Sequence, residues 1–325
     1  MKKINWGIIG CGDVTEVKSG PAFNKVPDSS LVAVMRRDAA KARDYAERHK
    51  VPKWYDNAFA LINDLDVNAI YIATPPSSHY EYTLEAINAG KPVYVEKPMT
   101  STVEDALAMA SIAKANQVKL VVAHYRRQIP YFKKIKQLLE DEVIGKALFA
   151  TLKFYTKPLS AEELTIPKVA WRVDPATAGG GLFHDLAPHQ LDLMHYFFGP
   201  ATEVKGIAAN HAGLYGAADF VAGNILFNSG FTFNGVWSFA VPAAEEKDRC
   251  EIIGANGKIS FSIFTMKTIL VTVNGNTTEL NFDPLAHVQQ LMIEQTVNYF
   301  LEKTANPCSG EDGSLIMQWM DAFTN

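Results

Sequence analysis

Short apolar segments alternate with polar, helix-favouring segments along the first 123 residues. The apolar segments are Ile4–Ile9, Leu31–Met35, Ala69–Ala73, Pro92–Val95 and Leu120–Ala123. The helix-favouring segments between them are Ala39–His49, Tyr80–Ala89 and Val103–Ala115. Strands of a few residues separated by such helices are typical of βαβ units, whose parallel sheet is covered on both faces. The sequence therefore predicts an α/β domain with a parallel sheet over residues 1–123.

The pattern changes after residue 123, where strand-like segments follow one another with few helices between them. These segments are Ala147–Tyr155, Glu203–Ala208, Asp219–Phe227, Gly230–Val241, Cys250–Ile253, Lys258–Phe264, Thr268–Val273 and Thr277–Phe282. Asn274-Gly275 separates the last two and is a strong hairpin signal. Helices are expected at Tyr131–Glu140, Ala187–Phe198, Leu285–Lys303 and the C-terminus. We predict that residues 124–325 form an α+β domain for substrate binding and oligomerisation, built on a large, mostly antiparallel sheet.

Two of the predicted strands, Phe220–Phe227 and Phe231–Val241, carry apolar residues at both odd and even positions. A sheet with one wet face alternates apolar and polar residues, so both faces of these strands are expected to be covered. Helices could cover both faces, or a second subunit could cover one of them. We predict a homodimer or homotetramer.

Charge and cysteine usage exclude several classes of partner. The chain has 31 basic and 35 acidic side chains, which gives no electrostatic footprint for nucleic acid or an anionic membrane. The three cysteines are scattered, which argues against a disulfide framework and a zinc site and favours a reducing compartment. No apolar run approaches the roughly 18 residues of a membrane span. We expect a cytoplasmic protein with no nucleic-acid partner, no membrane partner and no metal.

The first predicted strand ends in a glycine-rich turn. Gly10 allows a tight turn, and Gly12 allows the backbone to approach a pyrophosphate. Asp13 and Val14 open the following helix, whose first amide groups can bind the phosphates. Thr15 stands where the third glycine of the dinucleotide fingerprint is expected. In an alternating strand–helix domain, this turn predicts a Rossmann dinucleotide-binding site.

The end of the second strand predicts which dinucleotide is bound. An NAD enzyme usually presents a carboxylate there to the adenosine ribose hydroxyls. This chain presents Arg36 and Arg37, whose guanidinium groups suit a 2′-phosphate. Asp38 supports the alternative, NAD(H), but is equally well explained as the N-cap of the next helix. We predict that NADP(H) is the preferred cofactor, with NAD(H) as the alternative.

Four further segments identify a family. Ala73-Thr-Pro-Pro-Ser-Ser-His79, Gly90-Lys-Pro-Val-Tyr-Val-Glu-Lys-Pro98 and His124-Tyr-Arg-Arg127 end predicted strands, where parallel sheets bind ligands. Gly179-Gly-Gly-Leu-Phe-His-Asp-Leu-Ala-Pro-His-Gln-Leu-Asp192 opens a helix in the C-terminal domain. In order and spacing, these segments resemble the glucose–fructose oxidoreductase / inositol dehydrogenase (Gfo/Idh/MocA) family over essentially the whole chain.

The resemblance implies a set of catalytic residues. Lys97 would lie beside the nicotinamide and the reacting hydroxyl, and Asp185 and His189 would face it, with His189 as the general acid/base. A lysine in a positive cleft can stabilise an alkoxide, and a carboxylate beside an imidazole raises its basicity. Asp185 and His189 are four residues apart, so they share one helix face.

The resemblance also implies residues that bind the cofactor and the substrate. Thr74, His79 and Glu96 would line the cofactor, together with Lys97, and the Trp171-Arg172 segment would reach cofactor and substrate. Tyr125 stands where relatives commonly carry Asn; we expect Tyr125 and Arg127 to contact the substrate, together with Lys97, Asp185 and His189. The segment Lys157–Lys168 carries no motif that indicates a role.

Local chemistry gives two further expectations for the helix of Asp185 and His189. Pro188 disfavours a helix interior, so His189 is expected in or near a first turn. Asp192 and His195 are expected to be ordinary polar positions on an amphipathic helix, which argues against a metal cluster here.

The function predicted is an NADP(H)-dependent oxidoreductase that transfers hydride between the nicotinamide and a carbohydrate-like substrate. The reacting group would be a secondary hydroxyl or ketone of a sugar, polyol or related cyclic alcohol. The alternatives are an NAD-dependent glycoside hydrolase of the same fold and a non-catalytic dinucleotide sensor.

Overall fold

The computed structural model describes residues 2–325, which form two compact units. The first unit contains the chain up to Arg126 together with Leu285–Met317. The second contains Arg127–Pro284 and Gln318–Asn325. Each unit is built around one β-sheet.

The sheet of the first unit is parallel throughout. Its strands are β1 (Ile4–Ile9), β2 (Ser29–Met35), β3 (Lys53–Tyr55), β4 (Ala69–Ile72), β5 (Val93–Val95) and β6 (Leu120–Val122). Their spatial order is β3-β2-β1-β4-β5-β6, in which β1 and β4 are neighbours and the strand order reverses. The predicted Rossmann-type sheet is confirmed. Every residue of β4, β5 and β6 is buried, which explains why these strands are continuously apolar in sequence.

The second unit holds an eight-stranded, mostly antiparallel sheet, which confirms the predicted α+β architecture. Its strands are β7 (Ala147–Tyr155), β8 (Ala201–Ala209), β9 (Phe220–Phe227), β10 (Thr232–Ser238), β11 (Lys247–Gly254), β12 (Gly257–Phe261), β13 (Thr268–Val273) and β14 (Asn276–Asn281). They lie in the order β14-β13-β12-β11-β7-β10-β9-β8, and only the β7–β10 pair is parallel.

Twelve α-helices accompany the two sheets within residues 2–325. They are α1 (Asp13–Val17), α2 (Ala39–His49), α3 (Ala58–Ile62), α4 (His79–Asn88), α5 (Val103–Ala115), α6 (Pro130–Glu140), α7 (Ala161–Thr165), α8 (Pro167–Ala170), α9 (Pro175–Ala178), α10 (Gly181–Phe198), α11 (Gln290–Phe300) and α12 (Gly310–Thr324). Over this stretch, no helix is both long enough and apolar enough to cross a membrane.

Side-chain caps explain why two of the predicted helices begin where the sequence indicates. The carboxylate of Asp38 accepts a hydrogen bond from the Lys41 backbone at the start of α2. The hydroxyl of Thr102 accepts one from the Asp105 backbone at the start of α5. Such caps satisfy backbone N–H groups that have no partner inside the helix.

The domain division differs from the predicted boundary at residues 123 and 124, because residues 285–317 pack with the first unit. Phe300 contacts Trp6, with ring centroids 5.6 Å apart. The carbonyl of Cys308 accepts a hydrogen bond of 3.0 Å from the backbone N–H of Val122, at the end of β6. Local sequence pattern identifies α11 as a helix but does not show which sheet it covers.

The first unit contains two short elements that the sequence pattern did not predict. Strand β3 has three residues and none of them is fully buried, so its sequence shows neither an apolar run nor alternation. Helix α3 has five residues, fewer than the periodicity of a helix needs to be recognised.

Helix α10 corrects a second prediction, because it begins at Gly181 and continues through Pro188. His189 is therefore in the helix interior rather than in a first turn. Proline removes one backbone hydrogen bond from a helix, which normally interrupts it. Twelve of the eighteen residues of α10 are buried, so tertiary packing stabilises the helix on both sides of Pro188.

The large sheet has one covered face and one open face in the single chain, so the alternative in which helices cover both faces is wrong, and cover by a second subunit stays a prediction. Val221, Ile225 and Phe227 of β9 are buried, and Phe183 of α10 packs against Trp237 of β10 on the covered side. The alternate residues of the same strands face the other side, where Leu226 is exposed. The chain's own helices cover only one of the two faces.

Candidate active site

The glycine turn of the first unit has the geometry that a dinucleotide needs. Gly10 has a φ of +93°, and a Cβ there would lie 2.8 Å from the Thr74 backbone nitrogen, so the position requires glycine. A Cβ on Gly12 would meet no atom nearer than 3.9 Å, so space is open beside its backbone. Asp13 and Val14 follow as the first residues of α1. A pyrophosphate fits an open glycine backbone next to helix amide groups.

The second strand ends beside this turn. Arg36 donates a hydrogen bond of 3.3 Å from Nη1 to the carbonyl of Cys11, so its guanidinium lies next to the glycine turn. Arg37 is exposed. The Asp38 carboxylate caps α2, and its bond to the Lys41 backbone holds the pKa of Asp38 below its usual value. Asp38 is therefore the N-cap of α2, as one of the two explanations of this residue predicted.

Lys97 follows a buried carboxylate. Glu96 Oε1 accepts hydrogen bonds from the Tyr71 hydroxyl at 2.5 Å and from Gln289 Nε2 at 2.6 Å, and Oε2 accepts the Lys97 backbone N–H at 3.3 Å. Burial and the charge of Glu96 raise the pKa of Tyr71, so its hydroxyl keeps the proton that it donates. Tyr94 donates to the Gln289 side-chain oxygen at 3.1 Å. The Lys97–Pro98 peptide bond is cis.

His79 lies inside the unit, fully buried, between two loops. Its Nε2 is 2.7 Å from the carbonyl oxygen of Thr74, and its Nδ1 is 3.0 Å from that of Pro98 and 3.3 Å from that of Met99. Burial lowers the pKa of His79, against the effects of these carbonyls and of the Glu96 charge, which raise it. His79 therefore connects the loop after β4 to the loop that carries Lys97, rather than presenting a free ring to a ligand.

In the second unit, α10 carries both Asp185 and His189. Arg172, on a single 3₁₀ turn, places its Nε 3.4 Å from Asp185 Oδ2 and its guanidinium carbon 5.5 Å from the centre of the Trp171 ring. Arg172 is half-exposed and Asp185 is mostly buried. The arrangement combines a carboxylate with an imidazole one turn later on the same helix, which suits proton transfer.

The imidazole of His189 packs against Phe264. The two ring centroids are 5.8 Å apart and nearly perpendicular, and His189 is buried. The loop of Phe264 is fixed by Asp248, whose two carboxylate oxygens accept the backbone N–H groups of Ile263 and Phe264 at 3.0 and 2.7 Å. Sequence analysis did not identify Phe264, because only tertiary packing brings it to His189.

Arg127 and Asp192 form a buried ion pair in the second unit. Arg127 Nη2 lies 2.7 Å and its Nε 2.9 Å from Asp192 Oδ1, and both side chains are at least 92% buried. The prediction that Asp192 is an ordinary polar helix position is wrong, since its carboxylate compensates a buried guanidinium. The guanidinium of Arg127, which was predicted to contact the substrate, binds the Asp192 carboxylate.

Tyr125, the other predicted substrate contact at this loop, is buried in the first unit. Its hydroxyl accepts a hydrogen bond of 2.8 Å from Arg126 Nη1, and the Arg126 guanidinium carbon lies 5.1 Å from the centre of its ring. Substrate contact by Tyr125 and Arg127 stays a prediction.

The structure thus brings the predicted residues together in two groups, one in each unit. Gly10, Gly12, Arg36, Thr74, His79, Glu96 and Lys97 belong to the first group, and Trp171, Arg172, Asp185 and His189 belong to the second. Gln289 joins the first group from a distant part of the chain, and no local motif could have shown it. Residues 2–325 contain no cluster of three or more His, Cys, Asp or Glu side chains that could hold a metal ion.

Comparison with known proteins assigns the family. Residues 4–124 match the family described as "Oxidoreductase family, NAD-binding Rossmann fold", and residues 132–260 match the "GFO/IDH/MocA C-terminal domain". The chain belongs to the Gfo/Idh/MocA oxidoreductase family. This family membership confirms the resemblance that the sequence motifs indicated, and the Gfo/Idh/MocA chain described here is an oxidoreductase with a nicotinamide-dinucleotide-binding Rossmann fold.

Individual relatives agree with the family. "Oxidoreductase P35" of Formosa agariphila is 47% identical over 99% of this chain and 98% of its own length. The 1,5-anhydro-D-fructose reductase of Ensifer adhaerens is 28% identical, with 81% of this chain and 78% of the reductase aligned. A levoglucosan dehydrogenase solved with NADH and levoglucosan has the same fold, with a TM-score of 0.86 over 99% of this chain and 96% of that one, at 21% identity.

Proposed function

We propose that this Gfo/Idh/MocA oxidoreductase uses NADP(H) to interconvert a secondary hydroxyl and a ketone on a sugar, polyol or related cyclic alcohol. The observation that carries the proposal is α10, which presents Asp185 and His189 on one face, with the Arg172 guanidinium beside the carboxylate. The named relatives support the substrate class, because one reduces 1,5-anhydro-D-fructose and another binds levoglucosan with NADH.

The proposed roles follow from the chemistry of each side chain. The bound nicotinamide supplies or accepts the hydride. His189 moves the hydroxyl proton at an imidazole nitrogen, and Asp185 stabilises the imidazolium that forms. The ammonium of Lys97 stabilises the negative charge that develops on the substrate oxygen. Oxidation thus transfers a hydride to the cofactor and a proton to His189.

The test is a screen of sugars, polyols and cyclic alcohols with NADP⁺ and with NAD⁺, monitored by the absorbance of the reduced nicotinamide. We expect stoichiometric formation of reduced cofactor with at least one member of the panel. Cleavage of a glycosidic substrate without net reduction of the cofactor would indicate the glycoside hydrolase alternative. Binding of dinucleotide without turnover on the whole panel would contradict an enzymatic role.

A first prediction concerns cofactor preference. Arg36 is held beside the glycine turn by its bond to the Cys11 carbonyl, and Arg37 is exposed next to it. We expect the purified protein to bind NADPH more tightly than NADH, because the two guanidinium groups suit a 2′-phosphate. The double variant Arg36→Ala/Arg37→Ala should weaken NADPH binding at least about tenfold, equivalent to about 1.4 kcal/mol, and change NADH binding much less.

Fluorescence titration with both dinucleotides measures this preference. Arg43→Ala is the matched control, since Arg43 lies on the exposed side of α2 in an ion pair with Glu47. Tighter binding of NADH by the parent protein would show that Arg36 and Arg37 do not select the cofactor.

A second prediction concerns assembly. The open face of the large sheet carries Ile207, which is 68% exposed and pairs with Ala222 of β9. Leu226 is exposed four positions further along β9 on the same face. We propose that this face packs against a second copy in a homodimer or homotetramer, because exposed apolar side chains on a flat sheet mark interfaces. The double variant Ile207→Lys/Leu226→Lys should be monomeric and folded, because burying the new charges would be unfavourable.

Light scattering and circular dichroism of the parent and variant proteins check the assembly. Leu65→Lys serves as control, because Leu65 is 98% exposed and lies in the first unit. A monomeric parent protein at micromolar concentration would contradict the proposal.

A further inference from the structure

Both ring nitrogens of His79 face hydrogen-bond acceptors. Both ring nitrogens lie within hydrogen-bonding distance of carbonyl oxygens: Nε2 of Thr74 O at 2.7 Å, and Nδ1 of Pro98 O at 3.0 Å and Met99 O at 3.3 Å. A carbonyl oxygen can only accept. A neutral imidazole has one N–H and one lone pair, so one nitrogen would face a carbonyl lone pair at close range. Only the imidazolium, with two N–H groups, satisfies this geometry.

A counter-charge accompanies the ring. The carboxylate of Glu96 interacts electrostatically with His79 and favours its charged form. Glu96 is itself buried, and its hydrogen-bond donors are the neutral groups of Tyr71 and Gln289 and the Lys97 backbone. A buried carboxylate needs a compensating positive charge as well as hydrogen bonds. The imidazolium of His79 supplies that charge inside the unit.

Burial and position oppose a charge on His79. The ring is fully buried, and His79 is the first residue of α4, where the helix dipole disfavours a cation. Three carbonyl oxygens, however, take the place of the lost water around the ring, and hydrogen bonds to a charged form favour it. A neutral ring would keep only one of its two N–H donors. The lone pair of its other nitrogen would then face a carbonyl lone pair, which is repulsive.

We propose that His79 is held as an imidazolium at neutral pH and that, with Glu96 as its counter-ion, it is a positioning residue for Lys97. The ring ties the Thr74 loop to the Pro98–Met99 segment, and Glu96 binds the Lys97 backbone N–H. Glu96 therefore holds the backbone of Lys97 at its N–H, and His79 holds the two residues that follow Lys97. The role in positioning rests on the proposed function of Lys97, whereas the charge of the ring does not.

The experiment is nitrogen NMR of the whole protein with ¹⁵N-labelled histidine. The signal of His79 is assigned as the one absent from His79→Gln. We expect both His79 nitrogens to show protonated shifts at neutral pH. In Glu96→Gln the pH at which the ring loses its proton should fall by about one unit or more, because the counter-charge is removed. If His79→Gln does not fold, the signal of His79 is assigned as the one that remains after single His→Gln variants have assigned the other seven histidines.

A functional readout accompanies the spectra. As pH rises through the deprotonation of His79, turnover should fall while NADPH affinity changes little, and this step in the pH profile should move to lower pH in Glu96→Gln. A merely structural role would change thermal stability without moving the step. One unprotonated His79 nitrogen at neutral pH would overturn the proposal.

The two proposals fail in different ways. A neutral His79, with Lys97 variants that still lose turnover, refutes the imidazolium and leaves the proposed function intact. A cationic His79 in a protein that oxidises no member of the substrate panel refutes the proposed function and leaves the charged ring intact. An unchanged pH profile in Glu96→Gln, with a cationic ring, refutes the positioning role alone.

Discussion

Replacing Lys97 by Met should lower turnover on a confirmed substrate by about 10²–10⁴-fold, with dinucleotide affinity nearly unchanged. Methionine keeps most of the side-chain volume and removes the ammonium. The loss of turnover therefore measures the effect of the charge, because the packing is largely unchanged. The Lys97 backbone N–H stays bound to Glu96 in this variant, since the substitution leaves the peptide intact. Steady-state kinetics, fluorescence titration with NADPH and thermal melting separate the three quantities.

Matched variants test the assignment of roles. His189→Ala should cause a loss of the same order, and Asp185→Asn a smaller loss with a shifted pH–rate profile, because the imidazole loses the carboxylate that supports its basicity. Lys114→Met is the control, since Lys114 is 81% exposed on α5. Full activity of a folded His189→Ala variant would remove His189 from the mechanism.

Breaking the buried Arg127–Asp192 pair should give the largest loss of stability. Both side chains are almost fully buried, with Nη2 and Oδ1 2.7 Å apart. Asp192→Leu leaves the guanidinium buried without its counter-charge, which is expected to lower the free energy of unfolding by about 3–5 kcal/mol. Urea denaturation followed by tryptophan fluorescence and circular dichroism measures this change.

Two comparisons identify the cause of that loss. The double variant Arg127→Met/Asp192→Leu should recover most of the stability, because an apolar pair of similar volume carries no uncompensated charge. Arg43→Met breaks an exposed pair with Glu47 and should change stability by less than about 1 kcal/mol. If Asp192→Leu costs no more than Arg43→Met, the buried pair is not a major source of stability.

The family and the fold class could be predicted from the sequence because their signals are local. Gly10 has a positive φ and no room for a Cβ beside the Thr74 backbone, so the position requires glycine and can be recognised in the sequence. Buried parallel strands are continuously apolar, which located five of the six strands of the first sheet. Asp185 and His189 could be placed on one helix face from their spacing alone, and the N-cap explanation of Asp38 follows from residue type and position.

Other properties depend on groups that are distant in sequence, and only the tertiary structure decided them. Gln289 reaches Glu96 across 193 residues, and Arg127 meets Asp192 across 65, so neither pair leaves a local pattern. Pro188 stays inside α10 because burial along the whole helix outweighs one lost hydrogen bond. One face of the large sheet is open because the helices of the chain cover only the other, although the residues of both faces are apolar in sequence. The sequence by itself determined the fold class and the family, because their signals are local. Packing decided the partners of each buried charge, because it brings together residues that no spacing rule connects.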